Sequence, residues 1–207
     1  MPEPGAADAL IARVRFDATG LVACVCQDAA TGEVLMVAYA NADALRRTLA
    51  TGRATFWSRS RGELWEKGAT SGNRLDVVDV RLDCDGDAVL VEVVPAGPAC
   101  HTGSRSCFGD DGGGIAGRLR ATIAARAGAP PASSYVARML HAPRAHVARK
   151  VGEEAVEAIV EEPASARLAE EVADLWFHSM LLLARDGLDP LAPLAVLRAR
   201  HAGEATR

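Results

Sequence analysis

The chain has no basic excess. Its 207 residues carry 23 Lys and Arg against 27 Asp and Glu, a formal net charge of −4. Nucleic-acid-binding domains usually show the opposite balance, so the charge does not indicate a nucleic-acid partner. Any phosphate on a ligand must then be held by local groups or by metal ions. No apolar run approaches the length of a bilayer span, so no membrane association is expected. The opening stretch MPEPGAADALIARVRF begins with acid and proline and lacks the basic and apolar regions of a secretory signal. A cytoplasmic location is the expectation. Close C-x2-C pairs, the usual mark of a structural zinc site, are also missing. The five cysteines are Cys24, Cys26, Cys84, Cys100 and Cys107. In a reducing compartment they are not expected to pair as disulfides, and their odd number would leave one over. Metal binding and plain burial are the readings that remain.

What is present falls into two textures. Hydrophobic residues make up 49% of the chain, enough for one good core or two small ones. From Leu21 to Val94 the sequence is rich in valine and short alternations. Leu21–Cys26 and Val34–Ala40 read as strands around a turn at Ala30-Thr31-Gly32-Glu33. NADALRRTLATG reads as a helix, with Asn41 as N-cap, Leu45, Thr48 and Leu49 on one face, and Gly52 past its end. ATFWSRS, LDVVDVRLD and AVLVEVV read as further strands, which suggests a compact, mostly antiparallel β-rich domain. Beyond Phe108, GDDGGGIAG has the composition of a joint between domains. The rest is Ala, Leu, Arg and Glu at helical spacing. Helices are expected at Ile115–Ala127, Ser134–Leu140, Arg144–Glu161, Ala166–Asp186 and Leu191–Ala202. The fold class expected is α+β, a β-rich domain over 1–112 followed by an all-α bundle over 113–207.

Three clusters carry possible chemistry. In ACHTGSRSCF, Cys100 and Cys107 flank a loop, with His101 directly after the first thiol, and Cys84 lies further upstream in RLDCDGDAVL. Three thiolates with an open fourth position match a catalytic zinc site; three small buried residues fit the same spacing. Cys24 and Cys26 alternate within a strand and belong to a core. Asp83, Asp85 and Asp87 alternate, so an extended segment would present them on one face, suited to a hard cation such as Mg²⁺. A solvated hairpin end turning at Asp85-Gly86 is the competing reading. Cys84, of opposite parity, would face away, which allows a different metal on each side. In FWSRSRGELWEKGATSGN, the residues Trp57, Ser58, Arg59, Ser60, Arg61, Trp65, Lys67, Ser71 and Asn73 suit a phosphorylated ligand with a planar ring. A hairpin with a charged exterior and core tryptophans accounts for many of the same residues.

The helical half is acidic in a patterned way. Glu153, Glu154 and Glu157 fall within one arc of roughly 100° on a helix. Glu171, Asp174 and His178 form a stripe on the next. Two such helices can hold Mg²⁺ between them, bind the phosphates of a nucleotide and activate a water. The solvent faces of two amphipathic helices would look similar, although Val151, Ala155 and Ile159 form an apolar stripe that the acids adjoin.

LMVAYANADALRRTLATGRATFWSRSRGELWEKGATSGN, followed by DCDGDA and GPACHTGSRSCF, closely resembles phosphoribosyl-AMP cyclohydrolases. SSYVARML, KVGEEAVEAIV and EEVADLWFHSMLLLA resemble phosphoribosyl-ATP pyrophosphohydrolases, with the E-E-x-x-E and E-x-x-D pattern present. Their order is that of the fused bifunctional histidine-biosynthesis proteins. The resemblance implies zinc on Cys84, Cys100 and Cys107, contributed by both subunits of a homodimer. It implies Mg²⁺ on Asp83, Asp85 and Asp87, and Mg²⁺ on Glu153, Glu154, Glu157, Glu171 and Asp174. The implied substrates are small phosphoribosyl nucleotides. The helical domain would release pyrophosphate from phosphoribosyl-ATP, with Lys150 helping to hold phosphate. Zinc hydroxide in the β-rich domain would then open the adenine ring of phosphoribosyl-AMP at N1–C6, with His101 as proton-transfer group. A zinc nucleobase deaminase would carry H-x-E and P-C-x-x-C, and both are absent. A zinc-stabilised binding module predicts structural Cys/His pairs and a basic face, also absent. A general nucleotide house-cleaning pyrophosphohydrolase stays open for the helical half.

Overall fold

The computed structural model describes residues 6–109 and 114–204. The chain divides into two compact units, Met1–Gly114 and Ile115–Arg207. The expected junction at 112/113 lies outside the described residues.

In the first unit, strand β1 (Val22–Asp28) alternates strictly between buried and half-buried positions. That period of two places Cys24 and Cys26 in the core beside Leu35, Val89, Val91 and Val93. Burial pushes the Cys24 thiol up to about 12 and raises Cys26 as well, so both are inert apolar side chains. β1 pairs antiparallel with β2 (Val34–Ala40) on one side. On its other side it pairs parallel with β6 (Ala88–Pro95). β5 (Leu75–Leu82) pairs antiparallel with β6 and closes the order β2-β1-β6-β5. The sheet is mostly antiparallel, as expected, but contains at its centre one parallel ladder that the sequence did not announce. That ladder needs a long crossover, and everything from β2 to β5 supplies it.

That crossover carries the parts that shape the site. Helix α2 (Ala42–Thr51) begins where the Asn41 side chain accepts a bond from the Ala44 amide, and ends where Gly52 turns left-handed at φ 68°. Thr48 Oγ1 donates to the Thr55 carbonyl and accepts from the Thr55 amide, tying α2 to β3 (Thr55–Ser58). β3 pairs with β4 (Glu63–Glu66) as a separate hairpin, with Phe56 and Trp65 5.3 Å apart. The hairpin weighed for this stretch from the sequence is present, whereas the short helix α1 (Ala6–Ile11) was not expected.

The second unit consists of α3 (Ile115–Ala127), α4 (Tyr135–His141), α5 (Arg144–Val160), α6 (Ala166–Arg185) and α7 (Ala192–Glu204). Ser134 and Ser165 cap α4 and α6 through their hydroxyls. The core gathers Ile123, Met139, Val147, Met180, Leu181 and Leu191. The stripe Val151–Ala155–Ile159 is not its face: Ile159 is 79% exposed. α5 turns Val147 and Glu154 inward instead, two turns apart. No described helix is long and apolar enough to cross a membrane.

Candidate active sites and family membership

The loop after β6 is fixed to the β1–β2 turn by one side chain. Arg105 Nε donates to Glu33 Oε2 at 2.7 Å and Nη2 donates to Asp28 Oδ2 at 2.6 Å, and both carboxylates are buried. Cys107 N–H donates to the Leu35 carbonyl at 2.8 Å, and Ser106 Oγ donates to the Val34 carbonyl at 2.7 Å. Within the loop, Cys100 N–H bonds the Ser104 carbonyl, which folds the segment back on itself. Cys100 and Cys107 thereby meet. The Thr102 hydroxyl, 3.1 Å from Cys100 Sγ, holds that thiol below its ordinary value. Burial and the negative charge of Cys100 push Cys107 above it. Two thiols side by side are soft donors of the kind zinc takes. His101 Nδ1 lies 3.9 Å from Cys100 Sγ.

Both thiols and His101 line a cleft of about 790 Å³ together with Arg61, Lys67, Ser71 and Asn73. Trp65, singled out from the sequence with these residues, lines it too, and so does Arg47, to which the sequence had given no role. Gly68, at φ +82°, makes the loop possible: a Cβ there would lie 2.4 Å from the Asn73–Arg74 backbone. The same fold lets Lys67 Nζ reach the Asn73 carbonyl at 3.2 Å. Trp57, Ser58, Arg59 and Ser60 do not line this cleft. Arg59 covers the Tyr39 ring at 3.9 Å, and Ser58 and Ser60 bond one another.

Asp83, Asp85 and Asp87 converge, with one oxygen of each within 4.8 Å of the others. They do so in a loop, not on an extended strand: Asp83 Oδ1 accepts from the Gly86 and Ala88 amides. These backbone bonds, Ala88 first, lower Asp83, while the charges of Asp85 and Asp83 raise Asp87. Clustered carboxylates that repel in this way fit a hard cation. Cys84, exposed in the same loop, joins no group of three ligand atoms among the described residues. The loop rests on the chain after α1, where the Arg15 amide donates to the Gly86 carbonyl at 2.7 Å. Gly86 sits at φ +81°, and a Cβ there would lie 2.5 Å from the Arg13 carbonyl oxygen. Gly86→Ala is expected to destabilise this unit by about 2 kcal/mol. Urea unfolding followed by tryptophan fluorescence reads this, and an unchanged midpoint would contradict it.

In the helical unit Glu154, Glu171 and Asp174 converge within 4.8 Å. Glu157 lies beside them, its carboxyl raised from its ordinary value first by its hydrogen bond to Glu171, then by lost hydration and the charges of Glu154 and Glu171. Glu153 instead faces Arg149 at 3.0 Å and Lys150 at 3.1 Å. Lys150 also bonds Glu154 Oε1 at 2.8 Å, and these two glutamates raise its pKa and keep it charged. Tyr135 and His178 had no assigned role, yet His178 is buried against this cluster. Its place on the stripe with Glu171 and Asp174 was the available signal.

Comparison with known proteins agrees with this division. Residues 36–109 match the phosphoribosyl-AMP cyclohydrolase family, and residues 116–201 match the phosphoribosyl-ATP pyrophosphohydrolase family. The histidine biosynthesis bifunctional protein HisIE of Thermus thermophilus is 51% identical over 92% of this chain and 94% of its own length. Its counterpart in Gloeobacter violaceus is 44% identical over 90% of each chain. That of Escherichia coli K12 is 42% identical over 88% of this chain and 92% of its own. With both catalytic units present and aligned nearly end to end, the chain belongs to the histidine biosynthesis bifunctional proteins, enzymes with phosphoribosyl-AMP cyclohydrolase and phosphoribosyl-ATP pyrophosphohydrolase activities.

Proposed function

We propose that the two units act in the reverse of their order in the chain. The helical unit hydrolyses phosphoribosyl-ATP at its α–β anhydride, giving phosphoribosyl-AMP and pyrophosphate. The β-rich unit then adds water at C6 of the adenine ring and breaks the N1–C6 bond. The observation that carries the reading is the pairing of two different donor sets, thiols in one unit and converging carboxylates in the other.

Mg²⁺ held by Glu154, Glu171 and Asp174, with Glu153 and Glu157 alongside, supplies charge neutralisation for a triphosphate and a more acidic water. Lys150, kept protonated by Glu154 and Glu153, offers a fixed positive charge to a phosphate oxygen. In the β-rich unit, Arg61 and Lys67 bind the phosphates while Ser71 and Asn73 orient the ribose and base. Zinc on Cys84, Cys100 and Cys107 supplies a Lewis acid and a water of pKa roughly 7, and Mg²⁺ on Asp83, Asp85 and Asp87 completes the metal set. Cys84 joins no three-ligand group with Cys100 and Cys107 among the described residues of one chain, and a second copy, in a homodimer, would complete the zinc set. His101 moves the proton between the incoming water and the departing ring nitrogen. Reduced thiols serving as ligands accord with a cytoplasmic location.

The test is one assay with Zn²⁺ and Mg²⁺ present. Phosphoribosyl-ATP should yield both pyrophosphate and the ring-opened product. His101→Ala should stop at accumulated phosphoribosyl-AMP, with ring opening slowed about 100-fold. Full ring opening by that variant would remove His101 from the proposal. Equal turnover of unrelated nucleoside triphosphates would favour a house-cleaning role for the helices.

A further inference from the structure

We propose that Tyr135 and His178 form a hydrogen-bonded pair that positions Glu154 and the Asp174 turn for cation binding, making them positioning residues of the pyrophosphohydrolase. The proposal rests on the reading of Glu154, Glu171 and Asp174 as a Mg²⁺ site.

His178 lies one turn beyond Asp174 on α6 and is 5% exposed. Its Nδ1 is 2.9 Å from the Asp174 backbone oxygen. A carbonyl oxygen only accepts, so Nδ1 carries the proton. The same nitrogen lies 3.6 Å from Glu154 Oε1, a carboxylate on the neighbouring helix that is itself 5% exposed. Tyr135 Oη stands 2.7 Å from Nε2, and a hydroxyl can serve either form of that nitrogen, donating to it when it is bare and accepting from it when it carries a proton. Both ring nitrogens are thus engaged, and rotating the ring would break both bonds. Tyr135 is itself fixed at the first position of α4, which Ser134 caps, and its ring stacks on Phe177 at 6.4 Å. The chain of contacts therefore runs from α4 through His178 to a carboxylate on α5 and a backbone carbonyl on α6. Three carboxylates within 4.8 Å repel one another in the absence of a cation. Glu154 Oε1 is held by Lys150 at 2.8 Å, but that side chain is long and flexible and also bonds Glu153 at 3.1 Å. A ring locked at both nitrogens, with Nδ1 3.6 Å from the same oxygen, gives Glu154 a rigid neighbour that the lysine does not. Groups of this kind around a metal site commonly set its affinity.

The experiment titrates Mn²⁺ into the full-length protein and follows free Mn²⁺ by electron paramagnetic resonance. Steady-state pyrophosphate release is measured in parallel as a function of Mg²⁺. Glu171→Gln first identifies which class of bound Mn²⁺ belongs to the helical site. His178→Ala should weaken that class about tenfold or more. Tyr135→Phe, which keeps the ring and its packing, should weaken it about fivefold, and the double variant should be no worse than His178→Ala. His178→Asn, which places an N–H near the Nδ1 position, should recover most of the affinity. Ring opening of added phosphoribosyl-AMP should be unchanged throughout. If Glu171→Gln removes the class while Tyr135→Phe and His178→Asn both bind as wild type and His178→Ala loses only thermal stability, the pair is core packing and the inference fails alone. If Glu171→Gln leaves every class intact, the magnesium reading fails and takes this inference with it.

Discussion

Cys100→Ser should still release pyrophosphate from phosphoribosyl-ATP but open the ring of phosphoribosyl-AMP more slowly, on the order of 10³-fold. The substitution is nearly isosteric, and the contacts that shape the loop are made by the backbone. Cys100 N–H bonds the Ser104 carbonyl and its own carbonyl receives the Gly103 amide. Thr102 Oγ1, which now donates to the sulfur, can donate equally well to a serine oxygen. The cleft with Arg61 and Lys67 should therefore persist and still bind nucleotide. What disappears is a thiol that its surroundings already favour as thiolate, and a serine hydroxyl is not ionised at neutral pH. The variant should accumulate phosphoribosyl-AMP, visible by liquid chromatography, and should purify with less zinc than the parent. Wild-type ring opening by Cys100→Ser would show that Cys100 is a loop residue and would remove the thiol set from the mechanism. The helical unit serves as the internal control, because loss of pyrophosphate release as well would signal misfolding.

Local chemistry was legible in the sequence wherever a single residue type suffices to set it. The alternation through Cys24 and Cys26 announced a core strand, and burial of both follows. Asn41 and Gly52 bounded α2, and the starts expected at Ser134 and Ala166 fall within one residue of those of α4 and α6. Pairing partners were less legible, because a strand's sequence states which face is buried but not which neighbour lies beside it. The parallel ladder between β1 and β6 therefore went unread. The aspartates show the same limit at smaller scale. Their spacing gave convergence, but the backbone bonds of Asp83 to Gly86 and Ala88, not a strand's pleat, produce it. Tertiary contacts also overrode periodicity on α5. Glu154 took an inward position that hydrophobicity alone would give to Val151 or Ile159, because Lys150 and His178 wait there as partners. A buried carboxylate facing a histidine of α6 is what a helical wheel of α5 cannot show, since that partner reaches it from a second helix.

Glu171→Gln is expected to reduce pyrophosphate release by about 10²- to 10³-fold without harming the fold that carries it. Glu171 is 7% exposed and stands between two other carboxylates of its cluster. Glu157, raised by its hydrogen bond to Glu171 and by the charges of Glu154 and Glu171, shows that the cation-free cluster is electrostatically crowded. Glutamine fills the same space, removes one negative charge and can donate an N–H to Glu157. The substitution gives up the ion pair with Arg167 at 3.1 Å, but that arginine side chain is 67% exposed, so the pair contributes little. The metal-free variant should therefore unfold at a temperature no lower than the parent. Mg²⁺, which should raise the unfolding temperature of the parent by binding only the folded state, should raise that of the variant much less. A residue kept for packing would behave in the opposite way, losing stability together with activity. If Glu171→Gln lost stability and kept its response to Mg²⁺, Glu171 would be part of the scaffold and the helical metal site would have to be sought elsewhere.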